Sequence, residues 1–218
     1  MNVQIAEQTE AHSANEAEAL IPTHMRRLVL TGFMGAGKTT VGRLLAARIG
    51  WEFLDLDAYV ESRSGLSVPS IFALHGEARF RQLESSALAS ALGRSKVVLA
   101  LGGGAPEGLT NRLLLEQTPG TSTIFLDAPF PALFDRCMLQ ALNPGESRPL
   151  LADPETAEAR FKARQPIYRR LARVTVATGE LTPEETVGVV LGRLAAGTGE
   201  TVDVRRAGRP RVQRGARA

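Results

Sequence analysis

The sequence predicts an α/β domain in which a parallel sheet is covered by helices on both faces. Two observations predict it. Five short β-rich runs alternate with segments of helical period between Arg27 and Ala196, as parallel crossover connections require. The polar clusters also fall where such a sheet would place a ligand, outside the carboxyl ends of its strands. Gly32 to Thr40 follow the first run, Asp55 and Asp57 close the second, and Gly102 to Gly104 follow the third.

Each element has a local reason. "RLVLTGF" is the first strand, and "TTVGRLLAARIG" is an amphipathic helix closed by Gly50 as its C-cap. "WEFLDLD" reads as a second strand. Ser67 and Pro69 then open "SVPSIFALHGEARFRQLESSALASAL", two helices with a break near Gly76. "KVVLALGGG" is a buried strand ending in glycines, "TNRLLLEQ" a helix and "TSTIFLDA" a strand. "FPALFDRCMLQAL" and "PETAEARFKARQPIYRRLA" are helices flanking the loop "NPGESRPLLAD", and "RVTVAT" is the last strand. "TPEETVGVVLGRLAA" closes the domain, with Thr182 as N-cap, Pro183 in the first turn and Glu185 completing a capping box. There is no internal repeat.

Composition bounds the rest. The chain has 218 residues, 44% of them hydrophobic, enough for one full-sized core. Its net charge of +3 is unevenly spread. Residues 1–24 carry Glu7, Glu10, Glu16 and Glu18 with no Lys or Arg, and read as a disordered tail ending at residue 25. Met25, just before the first strand, reads as an alternative start. The segment 198–218 carries six arginines from Arg205 to Arg217 and reads as a second disordered tail. Charge alone could draw it to nucleic acid. It has no interleaved aromatic residues, so a solvated tail is the preferred reading. The single cysteine, Cys137, excludes an internal disulfide and fits a reducing compartment. No signal peptide precedes the domain, and no run approaches the roughly 18 apolar residues of a membrane span. A cytoplasmic monomer is the expectation.

Gly32-Phe33-Met34-Gly35-Ala36-Gly37-Lys38-Thr39 satisfies G-x-x-x-x-G-K-[ST] between a strand and a helix. Its glycines let backbone N–H groups turn inward as an anion cradle, and the following helix aims its positive end at the same point. The bland alternative is a connecting turn. The strand-before, helix-after context favours nucleotide phosphates, with Lys38 on the β- and γ-phosphates and Thr39 on Mg²⁺.

The second substrate must be read from other residues. Asp55 and Asp57 alternate along a strand end, which would put both carboxylates on one side of the pleat. One could hold the metal's water while the other accepts a proton from an attacking alcohol. Their bland reading is a solvated strand end or a helix N-cap. Arg81 lies four residues after Glu77 and three before Glu84, so an internal ion pair is its bland reading. "LGGG" either lets a substrate pack on backbone or makes a tight turn. Arg148 in "ESRPLL" and Arg164 in "KARQPIY" suit carboxylate or phosphate, because a guanidinium fork binds two oxygens at once. His75 reads as a helix-end partner, Cys137 as packing, and Trp51 and Tyr59 as core or rim.

Together these motifs resemble the shikimate kinases. "GFMGAGKTTVGRLLA", "FLDLDAYVESRSG", "IFALHGEARFRQLE", "LALGGGA", "RPLLAD" and "ARQPIYRRLA" occur in that family's order and spacing, over about residues 26–196. The resemblance implies a P-loop NTPase fold with five parallel strands in the order 2-3-1-4-5, within a domain at 26–197. It implies a mobile lid at about 140–154. It also implies transfer of a phosphoryl group from ATP, with Mg²⁺, to the 3-hydroxyl of shikimate. Gly35, Ala36, Gly37, Lys38, Thr39 and Thr40 would hold the phosphates, and Thr39 and Asp55 the metal. Lys38, Asp57 and Arg148 would be catalytic, with Arg148 swinging over the phosphates. Arg136 and Pro183 would lie at the adenine. Asp57, Arg81, Arg164 and Gly102, Gly103 and Gly104 would bind shikimate. One departure stands out. Ala177 occupies a place that is often acidic in the family's adenine loop, while Thr178 and Pro183 remain. The alternatives are a related sugar kinase, a nucleotide-switched binding protein, and a nucleic-acid-associated NTPase resting on the tail.

Overall fold

The computed structural model describes residues 14, 16–141 and 153–197. The strands β1 (Arg27–Thr31), β2 (Glu52–Asp55), β3 (Val97–Ala100), β4 (Thr121–Asp127) and β5 (Val174–Ala177) form one sheet in the order β2-β3-β1-β4-β5. Every pairing is parallel. β1 and β3 are buried throughout, as strands covered on both faces must be. The register matters for function, because Leu30 and Asp55 both pair with Ala100. The segments leaving β1, β2 and β3 therefore emerge at one height.

The helices are α1 (Lys38–Ile49), α2 (Leu56–Ser64), α3 (Val68–Leu92), α4 (Leu109–Gln117), α5 (Phe130–Ala141), α6 (Pro154–Leu171) and α7 (Pro183–Ala195). One core cluster joins Val41 and Leu45 of α1 and Val190 and Leu194 of α7 to Leu28, Leu30 and Ile124 of the sheet. The other joins Val60 of α2, Leu88 of α3 and Leu115 of α4 to Val29 and Leu99. α6 feeds both, with Phe161 and Tyr168 in the first and Leu171 in the second.

Local signals behave as the sequence predicts at several ends. Gly50 caps α1 in the left-handed region (φ 66°), Ser67 accepts from Ser70 N–H, and Thr182 and Glu185 form the capping box of α7. Gly76 breaks α3 with φ 76° and ψ 174°.

Two sequence readings change. The second strand ends at Asp55, and Leu56 already begins α2, so Asp57 lies in a first helical turn and not on a pleat. The cause is Asp55, whose side chain accepts from the N–H of Asp57 and Ala58 and starts the helix. The segment read as tail up to residue 25 is packed from residue 16 onward. Ala17 and Ile21 are buried in the first cluster, and Glu18 accepts from Trp51 Nε1 at 3.0 Å and pairs with Lys96 at 2.8 Å. The spacing of Ala17 and Ile21 is helical, but their partners are distant in sequence. The tail at 198–218 and nearly all of the expected lid, Arg148 included, lie outside the described residues.

Candidate active site

The loop after β1 is built on glycine for steric reasons. A Cβ at Gly32 (φ 149°) would meet the Leu126 carbonyl oxygen at 2.7 Å, and one at Gly35 (φ 75°) would overlap that of Leu133. Gly37, at φ 82°, is the N-cap of α1 without a side-chain hydrogen bond, which leaves the helix's first N–H groups for an anion. Lys38 Nζ donates to the Gly32 and Phe33 carbonyls at 2.9 and 3.0 Å, so its ammonium is folded back over the loop.

Thr39 and Asp55 meet directly. The Thr39 hydroxyl donates to Asp55 Oδ2 at 2.9 Å, while Oδ1 of the same carboxylate caps α2. No group of three or more His, Cys, Asp or Glu among the described residues could cage a metal. A hydroxyl beside one anchored carboxylate suits Mg²⁺, which usually keeps waters and phosphate oxygens in place of a full protein cage. The residues fit that ion.

Beside the loop, the turn Gly102–Gly104 runs close under three of the sequence-predicted side chains. A Cβ at Gly102 would lie 2.7 Å from Asp57 Oδ1, one at Gly103 3.8 Å from Arg164 Nη1, and one at Gly104 2.7 Å from Arg81 Nη2. The turn is also held by the Tyr168 hydroxyl, which donates to the Gly103 carbonyl at 2.5 Å and lies on the same side of Gly103 as Arg164. Arg81 Nη1 donates to both oxygens of Glu84, which is 1% exposed, and its Nη2 and Nε donate to Glu77. Asn111 Nδ2 reaches Glu84 Oε2 at 3.4 Å and the Ala105 carbonyl at 2.8 Å. Arg164 Nη2 donates to Glu107 Oε2 at 2.7 Å.

The electrostatics follow from burial. Asp57 has a raised pKa, because desolvation and then the charge of Asp55 disfavour its ionised form, against the pull of Lys38 and Arg81. Glu84 is also raised by burial, with Arg81 opposing. A buried carboxyl shifted upward beside a glycine turn marks a candidate functional group.

The loop and this turn thus bring Lys38, Thr39, Asp55, Asp57, Arg81, Gly102, Gly103, Gly104 and Arg164 to one end of the sheet. A family model described as shikimate kinase matches residues 34–195. The chain belongs to the shikimate kinase family. A shikimate kinase of Thermobifida fusca is 41% identical over 169 residues, covering 77% of this chain and 94% of that one. One from Psychrobacter cryohalolentis is 39% identical over 168 residues, covering 76% and 87%. Among solved structures, shikimate kinase from Acinetobacter baumannii in complex with shikimate aligns with a TM-score of 0.72 at 32% identity, covering 83% of this chain and 98% of that one. The Aquifex aeolicus shikimate kinase gives 0.68 at 36% identity, covering 78% and 97%. The five-stranded order implied by the resemblance is the observed one.

Within this shikimate kinase fold, a cleft of about 250 Å³ lies beside the loop. Gly35, Ala36, Gly37, Thr40, Arg136 and Pro183 contribute to its wall. Arg136 donates to the Thr178 and Gly179 carbonyls at 2.6 and 3.2 Å, fixing the segment after β5. Thr178 N–H is bound to the Asp127 carbonyl at 2.7 Å, so the loop is anchored although its neighbour is Ala177. Sequence reasoning missed Asn111, Tyr168 and Glu107. Tyr168 stands inside "ARQPIYRRLA" without being singled out, and Asn111 and Glu107 lie outside every family motif; each reaches its partners only through tertiary contact.

Proposed function

We propose that this site transfers the terminal phosphoryl group of ATP to the 3-hydroxyl of shikimate, giving shikimate 3-phosphate and ADP. The observation that carries the reading is the Gly102–Gly104 turn with Asp57, Arg164 and Arg81 over its successive residues. Bare backbone lets a small ring pack closely, two guanidinium groups suit its carboxylate, and a carboxylate of raised pKa suits its hydroxyl. The backbone N–H groups of Gly35 to Thr40 and the start of α1 hold the nucleotide's phosphates. Thr39 and the Asp55 carboxylate, through water, hold Mg²⁺, which when bound supplies positive charge to the phosphate oxygens. Lys38 turns from the loop carbonyls to neutralise charge that grows on the transferring group. Asp57 orients the hydroxyl and takes its proton. Arg136 and Pro183 flank the adenine, and Arg148 closes over the phosphates and excludes water.

All these groups belong to one chain, so a monomer suffices, and the arginine-rich tail is not needed for the reaction. No helix among the described residues is long and apolar enough to cross a membrane, and the cytoplasm is the compartment this reading expects. A coupled ADP-release assay with Mg²⁺ and ATP, run with shikimate, with gluconate and without acceptor, tests it. Release that depends on shikimate alone is the expected outcome. Equal release with gluconate, or none with shikimate, would sink it.

A further inference from the structure

Arg164 has an anionic partner within the chain. Glu107, which holds its Nη2, ends the 3₁₀ turn Ala105–Glu107 that directly continues the glycine turn. The Arg164 side chain is 12% exposed and that of Glu107 41%, so the cation is fixed while the anion faces water.

Arg81 shows what the difference in exposure means. Glu84 is buried beneath it and also takes a hydrogen bond from Asn111, so this carboxylate cannot leave. A solvent-facing carboxylate can leave, because water replaces its partner at little cost.

The geometry decides which donors a substrate can use. Arg164 Nε is buried without a hydrogen-bond partner, and Nη1 lies toward Gly103. Only the Nη1/Nη2 edge therefore remains for a carboxylate that binds through two oxygens. Glu107 holds half of that edge.

We propose that Glu107 is a built-in competitor for the acid substrate. It occupies Arg164 when the site is empty, swings to solvent when the substrate's carboxylate arrives, and recaptures the guanidinium as product leaves. It sets the affinity for the acid and not the rate of chemistry. This rests on the reading of Arg164 as a carboxylate clamp.

The test is a double-mutant cycle of E107Q and R164A, reading the shikimate Kd by calorimetry and kcat at saturating ATP, with melting curves as a check on folding. E107Q is expected to lower the Kd about two- to fivefold, the range an exposed ion pair can be worth, with kcat unchanged. R164A alone is expected to weaken shikimate binding, and E107Q to have no further effect in that background. An unchanged or raised Kd in E107Q overturns the proposal, and so does a gain that persists without Arg164. Wild-type binding by R164A would instead overturn the clamp itself, and the competition with it.

Discussion

A methyl group added to Gly102 would sit 2.7 Å from Oδ1 of Asp57. Gly102 is not among the residues with positive φ, so the backbone itself would tolerate alanine. What it would not tolerate is the contact, which is closer than real Cβ atoms make. Asp57 would have to swing off the turn. A displacement of about 1 Å in a reacting group can cost on the order of 10²-fold in rate. Gly102→Ala is expected to lower kcat by about that factor while the KM for ATP stays put. Wild-type turnover in this variant would show that Asp57 is not held against the turn.

Asp57 also makes a stability prediction. A folded carboxyl with a raised pKa keeps a proton that the unfolded chain has released, so stability falls as pH rises from the unfolded pKa through the folded one. Above that window the ionised, desolvated carboxylate weakens the fold. Asp57→Asn is therefore expected to raise Tm at neutral pH, by about 2–4 °C for each kcal/mol relieved in a chain of this size. The gain should shrink on acidification, and activity should be lost. The same shift places the acid limb of kcat/KM above the ordinary aspartate value of about 3.9. Melting curves of both proteins across pH check the sign, and an asparagine variant that is less stable at neutral pH contradicts it.

Lys38 ties the loop through the Gly32 and Phe33 carbonyls, so its removal mixes structure with chemistry. Lys38→Met is expected to lower kcat by about 10²–10³-fold, the scale of losing one preorganised charge-stabilising donor. Tm should fall as well, because the Gly32 and Phe33 carbonyls, both on buried residues, lose their donor. Far-UV circular dichroism beside single-turnover rates separates the two effects. A kcat within about threefold of wild type would exclude Lys38 from transition-state stabilisation.

How much of this was legible in the sequence depends on how local each cause is. The phosphate loop, the Gly76 break and the Thr182 box are written within a few residues, and all appear as expected. The strand reading of "LDLD" fails at Asp57, because alternating apolar and acidic residues look like a strand, whereas the helix N-cap named as its alternative is what Asp55 forms. The same Asp55 that would end a strand also caps a helix, and α2 buries only Leu56 and Val60, too few for a helical stripe. Glu84 was visible as a neighbour of Arg81. Asn111 and Tyr168 were not, because they reach Glu84 and Gly103 across 27 and 65 residues of chain.

The packed N-terminal segment gives the last prediction. Glu18 links Trp51, just before β2, to Lys96, just before β3, while Ala17 and Ile21 cover the first core cluster. All these contacts lie at the amino ends of the strands, opposite the site. Burial of an isoleucine is worth about 1.5–3 kcal/mol before the cost of ordering the segment. A chain begun at Met25 is therefore expected to melt several degrees lower with kcat for shikimate unchanged. Trp51 is the sequence's single tryptophan and is 8% exposed, so its fluorescence reports on the cover directly. The truncated chain should show red-shifted emission in its native state, because the indole gains water as it loses Glu18 and its neighbours. Unchanged emission and unchanged Tm would mean that residues 16–24 add nothing to the fold. A loss of kcat would mean that both ends of the strands are coupled.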